Sequence, residues 1–430
     1  MCWLRRDLRL NDLPALGEAI GDGKRQVLVC FVLDPRLEKS SGERRLAFLY
    51  DSLRELDAKL DGNLLVVRGR PDEEIPRLAD AVSAESVHVS EDFSPFGRRR
   101  DDAVAQSLEA SGASWQPVGS PYLVSPGRVT KSDGTPYKVF TPFFRAWSDH
   151  GWRSPATTGA PSNLLNPSDI HPSGRIRIPA APVDLDLPAG EDAALERWRA
   201  FVDDGLSGYD SDRDRPDLDA SSRMSAYLKF GNIHPRTMAD ALSRSKSAQA
   251  YLRELAFRDF YADVLYHWPK SLWHNWNDQF DDISLDTGKA AEKRFDAWRE
   301  GRTGFPLVDA GMRQLSETGF MHNRVRMIAA SFLVKDLHLP WWWGARHFLD
   351  QLTDGDMASN QHGWQWAAGT GTDAAPYFRV FNPETQAKKF DPDGDYIRRW
   401  IPEFETDDYP DPIVDHKAER EEALRRFGEI

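Results

Sequence analysis

Cysteine is scarce in this sequence: only Cys2 and Cys30 occur among 430 residues. Two cysteines cannot form a disulfide framework or a cysteine-type zinc site, so we expect a cytoplasmic protein that binds no metal. No uncharged apolar run reaches the roughly 18 to 20 residues that span a bilayer, so we expect no membrane association. Charged residues interrupt residues 1–12, and the lack of an apolar segment there predicts that no signal peptide is present.

Several widespread catalytic motifs are missing as well. No GxGxxG follows a predicted strand, and the patterns GxxxxGK[ST], HExxH and GxSxG do not occur. Asp286–Lys289 contains a Gly-Lys pair but lacks the upstream glycine of a phosphate-binding loop. The absence of these motifs argues against a hydride-transferring enzyme and against a kinase.

Positive charge is in deficit, with a formal net charge of −13. This argues against a protein that coats nucleic acid with its whole surface, but it leaves room for a basic groove on an acidic body. Aromatic residues are abundant, with 15 Trp, 22 Phe and 11 Tyr. Most of them are expected to pack in the core, so only those within the motifs below bear on function.

The first 125 residues alternate short apolar runs with helical patterns. The runs that predict strands are Gln26–Leu33, Leu64–Val67 and, more weakly, Ser86–Ser90. Spacings of three and four predict one apolar helix face at Leu46, Leu49, Leu53, Leu56 and Leu60. Cys2–Leu4 would form a first strand, which is short and leaves open whether the native chain starts upstream of Met1. The alternation predicts βαβ units and a parallel, Rossmann-like sheet.

Two further regions follow this predicted α/β domain. Residues 126–190 are rich in Pro, Ser, Gly and Asp without a sustained period, which predicts a long connector on the surface. Residues 191–430 follow helical patterns, with Gly and Pro at the breaks. The predicted architecture is thus an α/β domain, a linker and a larger all-α domain.

The most informative stretch is Asp354–Asp373 (DGDMASNQHGWQWAAGTGTD). Its first three residues are typical of a turn and helix cap, and the residues alone give that role and a functional one about equal weight. Trp364 and Trp366 lie two residues apart, so they would point to different sides of a helix. One would face a buried site and the other the interior.

A second cluster lies in Met321–Met327 (MHNRVRM). A solvated basic helix face would explain its arginines, but the apolar run AASFLV that follows indicates a buried helix. A buried Arg326 needs a carboxylate partner. The turn at Asp354–Asp356 is a suitable supplier, and the pair would leave a cation beside a site for an anionic ring.

With these motifs in place, the chain resembles the cryptochrome/photolyase family, and within it the class I photolyases of cyclobutane pyrimidine dimers. The similarity runs nearly end to end, and a long series of motifs in the family's order is far more specific than any single one. The motifs are Trp3–Asp12 (WLRRDLRLND), Lys138–Pro142 (KVFTP), Ser222–Gly231 (SRMSAYLKFG), Glu254–Tyr261 (ELAFRDFY), Gly301–Asp309 (GRTGFPLVD), Met321–Met327, Asp354–Asp373 and Phe381–Lys389 (FNPETQAKK).

The resemblance implies that the helical domain binds FAD in a U shape. The phosphates and ribityl chain would be held by Tyr209, Ser221, Ser222, Arg223, Met224 and Ser225. The pocket would be completed by Tyr251, Arg258, Asp354, Gly355 and Asp356. Arg326 would lie against the ring and stabilise the reduced, anionic flavin. Asn360 would face the reactive flavin nitrogen, where signalling members of the family often carry Asp or Cys.

On the substrate side, the resemblance implies light-driven repair of cyclobutane pyrimidine dimers in DNA, by electron transfer from excited reduced FAD to a flipped-out lesion. The positions that line the lesion pocket are Glu254, Asn323, Met327 and Trp366. Glu254 would hydrogen-bond a pyrimidine carbonyl, and Trp366 would stack on the bases. Repair of the (6-4) lesion uses a histidine pair where this chain has Asn323 and Met327, which argues against that activity.

Two positions depart from the family pattern. Phe257 stands where class I members usually have a second substrate-facing Trp, so we expect lesion binding to be weaker by about 1 kcal/mol. The family relays electrons to the flavin through three Trp residues. Trp364 and Trp341 match the inner two, but the third position falls on Gly288. Trp342 and Trp343 are candidate replacements for the outermost donor.

The resemblance also implies contacts with DNA and with a second chromophore. DNA contacts would come from Arg213, Phe257, Arg324, Arg379, Lys388, Lys389, Arg398 and Arg399. An antenna site in the α/β domain would use Arg6, Phe31, Asp34, Arg45, Asp92 and Lys229. Lys229 favours a deazaflavin, or a flavin in the same pocket, over a folate, because the folate-binding branch lacks a lysine there.

Two alternatives to DNA repair remain at this point. A cryptochrome, a light sensor on the same fold, predicts loss of the lesion-pocket residues and usually a long C-terminal tail. Here those residues are kept, and the chain ends at Ile430 soon after its last helical pattern. A flavin-binding electron-transfer module without DNA predicts no basic cluster and leaves the buried polar lesion pocket unexplained. We therefore expect a monomeric repair enzyme.

Overall fold

The computed structural model describes residues 1–23, 25–158, 162–170 and 174–430. The N-terminal domain alternates strands and helices. Its strands are β1 (Cys2–Leu4), β2 (Val29–Leu33), β3 (Leu64–Arg68), β4 (Ser86–Val89) and β5 (Ser114–Pro117). Its helices are α1 (Pro14–Ile20), α2 (Pro35–Lys39), α3 (Glu43–Lys59), α4 (Pro71–Ala81) and α5 (Pro95–Ser111).

The five strands form one parallel sheet in the order β3-β2-β1-β4-β5. This confirms the parallel, Rossmann-like domain. β2 is buried along its whole length, as expected for a strand covered on both faces. The strand order reverses between β1 and β4, and in such sheets a crevice lies beyond the carboxyl ends at this point. Arg6 and Asp92 line that crevice.

The strand predictions need two corrections. Within the predicted strand Gln26–Leu33, regular pairing begins at Val29, because Val27 instead forms an isolated bridge with Leu164 from the linker. β5 was not predicted. Its residues are mostly exposed at the sheet edge, so they lack the apolar run that reveals a buried strand.

The linker contains a helix, α6 (Phe140–His150), so the prediction of an aperiodic surface connector over residues 126–190 is wrong for this segment. Phe140, Phe143 and Trp147 lie at spacings of three and four and are buried. They pack against the helical domain, which is why this segment folds as a helix. Residues 159–161 and 171–173 of the predicted linker lie outside the described residues.

The helical domain follows, and from residue 191 onward its described residues contain no strand. Its helices are α7 (Glu191–Ala200), α8 (Tyr209–Asp212), α9 (Ser225–Phe230), α10 (Pro235–Asp240), α11 (Lys246–His267), α12 (Gly288–Arg299), α13 (Pro306–Thr318), α14 (Asn323–Lys335), α15 (Trp341–Gln351), α16 (Met357–Ala368), α17 (Pro383–Phe390), α18 (Asp395–Trp400) and α19 (His416–Gly428). Short 3-10 turns lie at Pro167–Asp169, Leu206–Gly208, Pro216–Leu218, Pro269–Leu272 and Asp278–Asp282, and a π-helical turn at Phe201–Gly205. This confirms the all-α second domain.

Helix α16 lies at the centre of the functional part of this domain, in contact with α11, α14 and α15. None of the helices in the described ranges is long and apolar enough to cross a bilayer. The domains also meet through buried charge: the Arg236 guanidinium donates to both carboxylate oxygens of Asp12, at 2.8 and 3.1 Å. The α/β domain is therefore held against the helices by specific polar contacts.

Helix α11 is attached to the linker by two buried carboxylates. Asp259 Oδ2 accepts hydrogen bonds from the Val124 backbone N–H (2.9 Å) and from Trp147 Nε1 (3.0 Å). Asp263 Oδ1 accepts from the Gly127 backbone N–H (2.7 Å). Burial raises the pKa of Asp259 to about 7, although Arg258 and these donors favour its ionised form. The linker thus fixes the position of α11.

We predict that Asp259→Ala lowers the free energy of unfolding by about 2 kcal/mol or more, because two buried donors lose their acceptor. Asp259→Asn keeps a carbonyl acceptor for both donors and should be much milder. Since the folded-state pKa lies above that of the unfolded chain, the folded protein retains a proton that unfolding releases, and stability falls as the pH rises from about 4 to about 7. Thermal unfolding at several pH values should therefore show that the stability of Asp259→Asn, relative to that of the unaltered protein, increases with pH. A difference independent of pH would contradict this assignment.

Candidate active site

One large cavity of about 550 Å³ opens in the helical domain, within the size range of ligand sites. It is bounded by α9, α11, α14, α16 and the segments before α9 and α16. The predicted cofactor and lesion residues that line it are Tyr209, Ser221, Ser222, Arg223, Met224, Ser225, Tyr251, Glu254, Phe257, Arg258, Asn323, Arg326, Met327, Asp354, Gly355, Asp356, Asn360, Trp364 and Trp366. The structure thus brings together residues that lie more than 150 positions apart in the sequence.

The segment before α9 supplies small polar side chains to one wall. Ser222 Oγ shares a hydrogen bond with the Tyr251 hydroxyl (2.8 Å), and Tyr251 packs against Tyr209 with ring centroids 5.1 Å apart. Arg223 has a positive φ of 53°, which turns the chain sharply at this point. Its guanidinium pairs with Asp219 (2.8 Å), while the residue still lines the cavity.

The N-terminus of α16 begins in the turn at Asp354–Asp356. Asp356 caps the helix by accepting from the Ser359 backbone N–H (3.1 Å). Asp354 accepts two hydrogen bonds from the Arg326 guanidinium of α14, at 3.2 and 2.9 Å. Both the predicted helix cap and the predicted Arg326–Asp354 pair are present.

Asp356 has a second partner, Arg6, which the sequence analysis assigned to the antenna site. Arg6, from the loop after β1, donates to Asp356 Oδ2 at 2.7 Å, and its Nε reaches the Lys229 carbonyl at 3.4 Å. Burial opposes ionisation of Asp356, but Arg6, Lys229 and Arg258 hold its pKa below the ordinary value. The α/β domain therefore contributes a charge to the cofactor cavity, and only the tertiary structure reveals this.

Asn360 and Trp364 lie one and two turns further along α16. The Asn360 amide nitrogen donates to the Ala345 carbonyl (3.0 Å) and to Gln361 Oε1 (2.8 Å), so its oxygen is the atom left to face a ligand. Trp364 is almost fully buried and packs edge-on against Phe348, with ring centroids 4.9 Å apart. Trp366 is only partly buried. We predicted that one Trp faces the site and the other the interior. Both Trp residues line the cavity, and they differ only in that Trp364 is more deeply buried than Trp366.

The outer part of the cavity holds the predicted lesion residues. The carboxylate of Glu254 pairs with Arg213, with 2.6 Å between Oε1 and Nη1. Burial raises the pKa of Glu254, and Arg213 partly offsets this rise. Asn323 and Met327 lie one turn apart on α14 in mutual contact (Nδ2 to Sδ, 3.9 Å).

Phe257 forms part of the same wall, supported by the linker. Its ring stacks on Phe140 of α6 with centroids 3.5 Å apart and an interplanar angle of 8°. Arg253 lies over the Phe140 ring, 5.0 Å from its centroid. The linker helix thus supports Phe257 from behind. The pattern of α6, with aromatics three and four residues apart, was the signal that could have revealed it.

Two of the predicted DNA-contacting cations, Arg213 and Arg324, line the cavity. Arg324 and Lys389 approach the ring of Phe390, at 4.6 and 5.0 Å from its centroid, although Arg324 also pairs with Asp214 (2.9 Å). The predicted DNA-contacting residues that are exposed are Arg379, Lys388, Lys389, Arg398 and Arg399. Arg398 faces the carboxylates of Asp395 and Glu405. Lys388 and Lys389 are therefore better placed than Arg398 to meet a phosphate.

The predicted antenna residues divide into two groups. Arg6, Arg45, Asp92 and Lys229 lie close enough to influence one another's charge, and burial and Arg6 together lower the pKa of Lys229 to about 7. Lys229 lines the large cavity rather than the crevice beyond β1 and β4. Asp34 caps α2 and is bound by the Arg36 guanidinium (2.6 Å), and Phe31 is buried in the middle of β2. Arg6 and Asp92 line the crevice beyond β1 and β4, and the antenna role of the six residues remains a prediction.

The cavity fits a bound cofactor with polar and aromatic parts. Ser221 Oγ is buried beside it without a hydrogen-bond partner among the described residues, and the same holds for Trp364 Nε1. Such atoms are rarely left unpaired unless a ligand or water satisfies them. The ranges that the structure describes contain no group of three or more His, Cys, Asp or Glu side chains arranged for a metal ion.

Known proteins match this chain along its whole length. Two family models match: DNA photolyase over residues 1–162, and the FAD binding domain of DNA photolyase over residues 251–407. The deoxyribodipyrimidine photo-lyase of Thermus thermophilus is 40% identical over 432 residues, which cover 99% of this chain and 97% of that protein.

Solved structures agree with this comparison. A class III photolyase from Agrobacterium tumefaciens matches with a TM-score of 0.91 at 34% identity, covering 100% of this chain and 96% of that one. An archaeal photolyase from Sulfolobus tokodaii, described with two FAD molecules, matches with a TM-score of 0.86 at 29% identity, covering 100% and 99%. The chain therefore belongs to the DNA photolyase/cryptochrome family.

Within that family its activity is that of the deoxyribodipyrimidine photo-lyases, enzymes of light-driven DNA repair, and FAD is its cofactor. The sequence-based predictions of family, fold class, enzyme class and cofactor are thus confirmed. The roles of individual residues and the nature of a second chromophore remain predictions.

We predict that Arg6→Ala weakens FAD binding about tenfold or more, because the buried Asp356 carboxylate loses a charge-assisted hydrogen bond at the cavity wall. Arg6→Lys should restore part of the affinity. Arg36→Ala, which removes an exposed cation from the same domain, is the matched control. FAD content after purification and titration of the apoprotein measure the effect. Unchanged FAD affinity in Arg6→Ala would contradict the assigned role.

Proposed function

We propose that this protein reverses cyclobutane pyrimidine dimers in DNA, with the lesion flipped out of the duplex into the large cavity. The observation that carries the proposal is that one cavity is lined both by residues predicted to hold the cofactor, such as Ser221 and Asp356, and by residues predicted to contact the lesion. The latter are Glu254, Asn323, Met327 and Trp366. A lesion and a cofactor in this space would be in direct contact. Extrusion of a damaged base costs less than extrusion of a paired one, which favours lesions over intact DNA.

Bound FAD would absorb light and supply the single electron that splits the lesion. The chain's own residues prepare the site for this chemistry. Arg326, held by Asp354, places a positive charge at the cavity, and Asn360 presents its amide oxygen because the amide nitrogen is already bonded. Both groups are fixed by neighbouring helices before any ligand arrives, which avoids reorganisation during the reaction.

Glu254 is the residue best placed to recognise the lesion by a hydrogen bond. Burial raises the pKa of Glu254 and favours the protonated carboxyl group, whereas Arg213 favours the carboxylate. In its protonated form the carboxyl group would donate a hydrogen bond to a pyrimidine carbonyl. The bond would strengthen as negative charge develops on that carbonyl. Trp366 would stack on one base, while Phe257, backed by Phe140, offers an apolar wall.

The lesion-pocket helix also argues against repair of (6-4) lesions. Asn323 and Met327 stand where enzymes that repair (6-4) lesions use a histidine pair, and neither side chain has a titratable group. The neighbouring His322 lines the cavity, but burial lowers its pKa to about 4, so it is neutral at neutral pH. Its Nδ1 accepts the Arg324 backbone N–H at the start of α14 and is not available as an acid.

DNA would bind across the cationic rim of the cavity, and the protein would act as a monomer in the cytoplasm. Lys388 and Lys389 lie in the last turn of α17, and Arg379 lies on the exposed loop before it. On a chain with a net charge of −13, these cations concentrate the attraction for phosphate on one face. The cavity is formed within one chain, so a second copy is not needed to complete it.

The decisive experiment uses the FAD-loaded protein with its flavin reduced, a thymine-dimer oligonucleotide and blue light. Restored thymine absorbance in the light but not in the dark is the expected result. An oligonucleotide with a (6-4) lesion serves as the comparison and should remain unrepaired. Light-dependent changes in the flavin without any restored thymine would instead favour the cryptochrome-type photoreceptor.

We predict that Glu254→Ala slows light-driven repair roughly tenfold or more, because one preorganised donor to the developing charge is lost. Glu254→Gln keeps a donor and should retain a larger part of the activity. The exposed Glu317→Gln is the matched control and should behave like the unaltered protein. If Glu254→Ala repairs at the normal rate, the role given to this carboxyl group is wrong.

We also predict that affinity for dimer-containing DNA falls steeply with salt, because cations of the rim displace counterions from phosphates. The double substitution Lys388→Ala and Lys389→Ala should reduce the slope of log affinity against log salt by about 1 to 2, since each lysine that pairs with a phosphate accounts for about one unit. Titrations at several salt concentrations measure this slope. An affinity that does not change between low and moderate ionic strength would contradict a basic groove.

A further inference from the structure

At the position where the family pattern places the outermost electron donor, this chain has a glycine, Gly288, and no aromatic residue. Gly288 is exposed at the start of α12, and a side chain added there would meet nothing within 4 Å. The space beside Gly288 is therefore not filled by an aromatic ring from another described residue. A route by which Trp364 recovers an electron must therefore use other side chains.

Trp364 is in direct ring contact with another Trp that the sequence did not single out. Trp298, on α12, lies with its ring centroid 5.9 Å from that of Trp364 at an interplanar angle of 70°. Trp298 is fully buried, and Phe348 packs against both rings. This edge-to-face arrangement is a favoured packing of aromatic rings, and it gives an electron a short step from one indole to the other.

From Trp298 the aromatic contacts continue toward the surface. Phe295 stacks on Trp298 with ring centroids 5.7 Å apart, and Trp343 contacts Phe295 edge-on with ring centroids 5.4 Å apart. Trp343 is partly exposed. His347 touches both Trp298 and Phe295, but burial lowers its pKa to about 4, so it adds no charge to the route at neutral pH.

The indole N–H groups along this path favour transfer outward. Trp364 Nε1 has no hydrogen-bond partner in the described ranges, and Trp298 Nε1 donates to the Ala329 carbonyl, which is not a base (3.1 Å). An oxidised ring at either position therefore keeps its proton and its charge, which is costly in a buried site. Only at partly exposed Trp343 can water take the proton.

The alternative pair, Trp341 and Trp342, is less closely connected to the site. Their rings meet at 5.9 Å, and Trp342 is exposed. Among the described residues, however, no ring contact links Trp341 to Trp364, and Trp341 Nε1 is bonded to the Asn275 side chain (2.9 Å). The contact at Trp298 is thus the more direct step from Trp364 to a second indole.

We propose that Trp298 and Trp343 form the electron-donor branch that serves Trp364 in this protein. The inference rests on the role proposed for Trp364 as the electron donor nearest to FAD. Trp364 gives one electron to light-excited oxidised FAD, Trp298 gives one electron to Trp364, and Trp343 gives one to Trp298 past Phe295. Trp343 then releases its indole proton to water. A thiol in solution returns one electron and one proton to Trp343 and is oxidised.

The test uses transient absorption of the FAD-loaded protein, with the flavin oxidised, to follow the tryptophan radical. Trp343→Phe should shorten the lifetime of the separated charges at least tenfold and reduce the yield of photoreduction by thiol several-fold. Trp343→Tyr should restore much of the yield, because tyrosine also gives up an electron and a proton at a wet position. Trp342→Phe, one residue away, is the matched control and should have little effect.

Three further measurements separate the possible failures. Trp298→Phe should match Trp343→Phe, with FAD content and thermal unfolding to verify that this buried substitution folds. Repair by chemically reduced flavin should be normal in both variants. If Trp343→Phe behaves like the unaltered protein, the proposal is overturned, whatever Trp298→Phe does. If Trp364→Phe itself keeps full photoreduction, the role of Trp364 is wrong instead, and dimer repair is judged separately by the thymine assay.

Discussion

The turn at Asp354–Asp356 balances charges that arrive from two different parts of the protein. Asp354 binds Arg326 of α14, and Asp356 binds Arg6 of the α/β domain while capping α16. Each partner alone would be a partly buried charge without compensation, which is strongly unfavourable. Together they fix the start of the helix that carries Asn360, Trp364 and Trp366. The cofactor site is therefore oriented by paired charges as well as by apolar packing.

The cavity built on this turn changes character from one end to the other. Its inner part offers hydroxyl groups, carboxylates and guanidinium groups, suited to a polar cofactor. Its outer part offers aromatic faces and one carboxyl group, Glu254, whose pKa is raised by burial. Beyond the opening lie exposed lysines on a protein that is otherwise acidic. The residues predicted for the cofactor and those predicted for the lesion therefore line one and the same cavity.

All three regions of the chain contribute to this site. The α/β domain supplies Arg6, the linker supplies Phe140 behind Phe257, and the helical domain supplies the remaining walls. Asp259 further attaches α11 to Trp147 of the linker and to Val124 just before the linker, through two hydrogen bonds. The linker thus supports one wall of the cavity, and the position of α11 depends on contacts with residues more than 100 positions away in sequence.

The sequence by itself determined the parallel sheet, the helical domain, the cap at Asp356 and the Arg326–Asp354 pair. Each follows from a local rule: apolar periodicity, short-range capping, or the need of a buried cation for a nearby carboxylate. The tertiary structure alone decided that Arg6 reaches Asp356, that α6 backs Phe257, and that Trp298 touches Trp364. Sequence patterns indicate which face of an element is buried, but its partner is chosen by the packing of the whole chain.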